Sequence, residues 1–153
     1  MMEEFKKILC PVDFSEHSIK GLEKSVKLAS IANGELTLVH VISDPWSELY
    51  NPDSDTLLDP VLAEQKATEM LEALAAKHAP GVTCQCVVRR GEHIYSSICE
   101  LAGSLYSEII VMTTHGRSGL KRLMIGSVAE HVIRNAPCSV FVVRSQKGDT
   151  LTT

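Results

Sequence analysis

IIVMTTHGRSGLKRLMIGSVA, residues 109–129, is the stretch whose reading decides the fold. Its first four residues, Ile109-Ile110-Val111-Met112, have the length and residue types of a buried strand. Gly116, Gly119 and Gly126 follow, with Arg117, Lys121 and Arg122 among them, and Ser127 opens an apolar-periodic segment. A strand that runs through a glycine-bearing loop into a helix is a phosphate-binding arrangement of α/β proteins. Glycines let the backbone approach an anion, and the helix start supplies free N–H groups and the positive end of its dipole. The spacing is not that of a Walker loop, since Gly126 is followed directly by Ser127, nor that of the G-x-G-x-x-G dinucleotide fingerprint. A plain strand-to-helix connection with glycines at its turns explains the same residue types, and both readings stay open at this level.

Outward from that stretch, strand and helix patterns alternate. Residues 7–13 (KILCPVD) read as a short strand ending near Pro11. Ser15 is placed to cap a helix whose apolar positions Ile19, Leu22, Val26, Leu28 and Ala29 follow helical spacing, and Asn33-Gly34 ends it. Residues 36–42 (LTLVHVI) form a second buried strand. Asp59-Pro60 starts the next helix, with Asp as cap and Pro at the first position, and Pro80-Gly81 stops it. A third strand covers 82–89. Ile94, Ile98, Leu101 and Ala102 mark a third helix ending at Gly103. A fourth strand covers 108–113, a fourth helix 126–135 and a fifth strand 139–144. The pattern β-α-β-α-β-α-β-α-β predicts parallel strands covered by helices. In such sheets ligands sit beyond the carboxyl ends of the strands, where the winding reverses. Pro11, Val12, Asp13, His40, Val41 and Thr113 all fall at that edge.

Two segments read as irregular. Residues 43–58 (SDPWSELYNPDSDTLL) hold two prolines, four acids and the single Trp, a loop long enough to be either a lid or a variable surface connection. Residues 145–153 form a polar tail beyond a single domain of residues 1–144.

Composition narrows the function classes. With 153 residues, 44% of them apolar and 22% charged, the chain can bury a core unaided. A net charge of −4 argues against general nucleic-acid binding. No apolar run approaches the about 18–20 residues of a membrane span, and the charged start lacks a signal-peptide core, so a cytoplasmic protein is expected. Five cysteines, an odd number, then read as reduced thiols. Cys84 and Cys86 share one strand face without the spacing of a zinc ribbon. His17, His78, His93 and His131 show no metal-ligand spacing, and His40, inside a strand, reads as a packed residue. Asp13 either contacts a ligand or caps the following helix, and His115 either touches phosphate or shapes the turn. No nucleophile elbow or Ser/His/Asp set is evident, so catalysis with turnover is not expected.

The segments KILCPVDFSEHS, LTLVHVI, IIVMTTHG and GSVAEHVIRNAPCSVFVVR resemble the universal stress proteins over residues 7–144. The resemblance implies a five-stranded parallel sheet of order 3-2-1-4-5 with helices on both faces, and a homodimer. It also implies a regulatory role in the stress response with an unidentified protein partner. The ATP-binding branch of that family carries G-x2-G-x9-G-S/T. This chain matches at Gly116, Gly126 and Ser127 and departs at the first position, Thr113. Carried over residue by residue, Asp13 with the backbone of Pro11, Val12 and Val41 would meet the adenosine part. Thr113, with Thr114 and His115 after it, would lie beside ribose and phosphates. Gly116, Arg117, Ser118 and Gly119 would wrap the phosphates, and Ser127, Val128 and Ala129 would meet them at the helix start. Thr113 would bring either bulk or a ligand-bonding hydroxyl to the place of closest backbone approach. The implied ligand is ATP or another adenine nucleotide, with or without Mg2+; the alternatives are a dimeric interaction module without nucleotide and a weak ATPase. In the order 3-2-1-4-5 the last strand is an edge, short and β-branched, and the expected cover is a second copy of the chain.

Overall fold

The computed structural model of the chain describes residues 4–43, 60–115 and 125–144. The loop at 44–58, the Asp59 cap, Gly116, Arg117, Ser118, Gly119, Lys121, Arg122 and the tail at 145–153 lie outside the described residues. The elements run β1 (Lys7–Pro11), α1 (Glu16–Ala32), β2 (Glu35–Ser43), α2 (Pro60–His78), β3 (Thr83–Gly91), α3 (Ile94–Ser104), β4 (Ile109–Thr113), α4 (Ser127–Asn135) and β5 (Ser139–Val143). They form one parallel sheet of order β3-β2-β1-β4-β5.

Alternation along each strand builds two cores. Ile8, Cys10, Leu36, Leu38, Ile109 and Val111 point to one face, where they pack with Leu22 and Ala29 of α1 and Leu71 of α2. Leu9, Val39, Val41, Ile110 and Met112 point to the other, against Ile98 and Leu101 of α3 and Ala129 and Val132 of α4. The first two helices therefore cover one face and the last two the other. The chain changes direction between β1 and β4, and neighbouring strand ends part there.

Local chemistry sets the boundaries. Ser15 caps α1, its side chain accepting from the Ser18 N–H at 3.2 Å. Asn33, at φ 53°, takes the left-handed position that ends α1. Gly34 is needed for another reason: a Cβ there would stand 2.6 Å from the Lys6 carbonyl, which accepts the Glu35 N–H. β3 runs to Gly91, further than expected, because β2 pairs with it residue by residue as far as Ser43. The cysteines are free thiols, Cys10 buried and the others half-buried. Burial pushes the Cys10 thiol up to about 12 and the Cys84 thiol to about 11, so both stay protonated packing groups. Among the described residues no helix is long and apolar enough to cross a membrane.

Candidate functional site

A cavity of about 450 Å³ opens at the carboxyl edge where β1 and β4 part. That volume is within the ~300–1,000 Å³ of small-molecule sites. β1 and its following turn supply Pro11, Val12 and Asp13. β2 supplies Val41, β4 and its end supply Thr113, Thr114 and His115, and the start of α4 supplies Gly126, Ser127, Val128 and Ala129. Every sequence-derived site residue within the described part thus lines one cavity. Gly116, Arg117, Ser118 and Gly119 lie outside that part.

The β4–α4 corner is built for close approach. The Gly126 N–H donates to the Thr114 carbonyl at 2.7 Å, and a Cβ on Gly126 would stand 2.9 Å from that same oxygen. The Thr114 N–H donates to the Val143 carbonyl, which ties the corner to β5. Gly126 is the N-cap and brings no side-chain acceptor to the helix start. The first-turn N–H groups of α4 have no intrahelical acceptor, and with the helix dipole they favour an anion at this end of the cavity.

Thr113 is buried, and its side chain serves the protein. Its hydroxyl donates to the His115 carbonyl at 2.9 Å, and its methyl lies against α1, where a Cβ on Gly21 would be 3.4 Å from it. Thr113 thus lines the cavity with its hydroxyl engaged by the backbone of His115 and its methyl on the α1 side, as alternation along β4 directs. Thr113→Val, which keeps the methyl and removes the hydroxyl, is expected to lower the unfolding free energy by about 0.5–1.5 kcal/mol without ligand. Urea denaturation checks this, and an unchanged midpoint would mean that the hydroxyl carries no such bond.

Asp13 lines the cavity and supports the cap of α1 without being it, since Ser15 is the N-cap. One carboxylate oxygen accepts from the Ser15 N–H at 2.9 Å and from the Ser15 hydroxyl, so Asp13 orients the capping residue while lining the cavity. His115 Nδ1 pairs with the Thr114 hydroxyl at 2.9 Å. Its Nε2 is buried and has no hydrogen-bond partner among the described residues, an orphaned polar atom at the cavity wall. An uncapped helix start, a glycine that only a bare backbone position fits and an oriented carboxylate suit a ligand with an anionic group and a polar ring. Among the described residues no cluster of three His, Cys, Asp or Glu could hold a metal ion.

Sequence reasoning missed part of the lining. His40, placed at the ligand edge by topology but read as a packed residue and not as lining, is half-buried on the cavity, with Nδ1 2.7 Å from the Val12 carbonyl and its ring 4.5 Å from that of Phe14. Ile94 and Ile98 of α3 and Met112 of β4 complete the apolar wall. Ile94 and Ile98 stand at i, i+4, a spacing that signals a core-facing stripe, and only the crossover from β3 brings that stripe to the cavity.

The family model described as the universal stress protein family matches residues 4–144. The chain is 32% identical over 146 residues to the universal stress protein MJ0531 of Methanocaldococcus jannaschii, covering 94% of this chain and 84% of that one. The solved structure of the protein MJ0577 superposes with a TM-score of 0.77 at 28% identity, over 94% of this chain and 98% of its own. The universal stress protein of Archaeoglobus fulgidus, solved in complex with dAMP, shares the fold at a TM-score of 0.63 and 16% identity, over 90% and 97% of the two chains.

Proposed function

This chain belongs to the universal stress protein family, and we propose that it is an adenine-nucleotide-binding regulatory protein of the stress response that works as a homodimer. The observation that carries the reading is the glycine-capped start of α4 in the same cavity as Asp13, at the point where the sheet reverses direction. The helix start provides for phosphate. The carboxylate provides for ribose hydroxyls or a base N–H, and the apolar wall of Val41, Ile98 and Met112 provides for the flat face of a purine. The relative solved with dAMP supports an adenine nucleotide as the class of ligand.

Calorimetry with ATP, AMP and adenosine tests the reading, together with mass spectrometry of any small molecule released when the undialysed protein is denatured. Micromolar-scale affinity, about 8 kcal/mol at the 1 M standard state, is expected for the nucleotides. A hundredfold excess of ligand over Kd would then add about 2.7 kcal/mol to stability and raise the melting temperature. No heat of binding and no thermal shift at millimolar nucleotide would overturn it.

A further inference from the structure

Phe14 adopts φ 64°, a left-handed backbone that a bulky side chain rarely takes and that persists only when its surroundings hold it. It follows Asp13 directly, so the φ of Phe14 sets the turn in which the Asp13 carboxylate accepts from the Ser15 N–H. One side chain, from a different strand, touches both neighbours of Asp13. His40 of β2 reaches 2.7 Å from the Val12 carbonyl on one side and packs its ring against that of Phe14, tilted by 40° with 4.5 Å between centroids, on the other. A carbonyl only accepts, so Nδ1 carries the proton and donates, whatever the state of Nε2. The Val12 N–H in turn donates to the Val39 carbonyl at 2.8 Å, next to His40 in β2, so this part of β2 grips Val12 through both of its backbone polar groups.

We propose that His40 is a positioning residue for the nucleotide site: it clamps Val12 and Phe14 and so holds Asp13 in its ligand-facing turn. The inference rests on the nucleotide reading for its binding arm but not for its structural arm. Without the imidazole, the strain at Phe14 would relax towards negative φ, and ligand binding would have to restore the turn.

The test is a double-mutant cycle of His40→Leu and Asp13→Ala, read by calorimetry with AMP and by the apo crystal structure of His40→Leu. His40→Leu is expected to weaken AMP roughly tenfold, the size of a modest conformational penalty. Added to Asp13→Ala it is expected to cost almost nothing further, since His40 acts through Asp13. The apo structure is expected to show Phe14 at negative φ. Unchanged AMP affinity in His40→Leu, or losses that multiply in the double variant, would overturn the proposal. So would a left-handed Phe14 retained in the variant. Should His40→Leu not fold, His40→Gln, which keeps an N–H donor but not the ring, is put through the same two measurements. If wild type binds neither AMP nor adenosine, the nucleotide reading falls, and the φ of Phe14 alone then decides whether His40 holds the turn.

Discussion

Gly126→Val is expected to abolish measurable nucleotide binding, a loss of at least about a hundredfold, or about 2.7 kcal/mol. Two effects converge on that residue. Its N–H donates to the Thr114 carbonyl at 2.7 Å, and any Cβ would meet the same oxygen at 2.9 Å. The obstacle is backbone, and Thr114 is itself held by its N–H bond to Val143, so the corner cannot give way cheaply. The rest of the valine side chain would stand beside the first turn of α4, where the anion is drawn by N–H groups that no N-cap side chain occupies. Gly126 lies at φ −60°, so the requirement is for space and not for a left-handed backbone. Calorimetry on a variant shown by circular dichroism to be folded decides the matter. Unchanged affinity in a folded protein would remove the phosphate from the start of α4. A fall in melting temperature is expected as well, because the same substitution strains the β4–α4 corner.

How much of this was legible in the sequence varies with the range of the interaction. The apolar runs in LTLVHVI and IIVMT and the capping signals at Ser15 and Asn33 are local, and the structure follows them closely. The convergence of Asp13, Val41, Thr114 and Gly126 on one edge follows from a parallel topology, which limits where strand ends can go, while the strand order comes from the resemblance to the family. What remained hidden depends on neighbours in space. Arg90-Gly91 reads as lying beyond a strand of residues 82–89, yet β2 pairs with both. His40 sits in an apolar run and reads as core, while its ring lies where β1, β2 and the Phe14 turn meet. Thr113 in a glycine motif reads as an obstruction only if its side chain faces the ligand. The face it points to is set by the pleat of β4, and its methyl lies against Gly21, far away in the sequence.

Val142→Pro is expected to convert a homodimer into a folded monomer, and the hydrogen-bonding parity of β5 explains why this position separates the two properties. β5 pairs with β4 alone and ends the sheet. The Val143 carbonyl accepts the Thr114 N–H, so Val143, and by alternation Phe141 and Ser139, direct their backbone groups at β4. Val140 and Val142 then direct theirs outward, an unpaired edge of the kind another strand can join. Phe141, 46% exposed on this strand, adds apolar surface for a partner to cover. A two-fold axis beside β5 would pair the strand with its own copy in antiparallel sense and extend the sheet across both subunits. Proline at Val142 removes an outward donor and adds bulk there while leaving the bonds to β4 intact, which is the one setting in which a strand tolerates it. Light scattering at tens of micromolar protein is expected to give a dimer mass for wild type and a monomer mass for Val142→Pro, with both showing the same circular dichroism. A monomeric wild type would refute the dimer itself. A folded Val142→Pro protein that stays dimeric would place the interface elsewhere, and the exposed apolar residues Val61 and Leu62 at the start of α2 would be the next surface to probe.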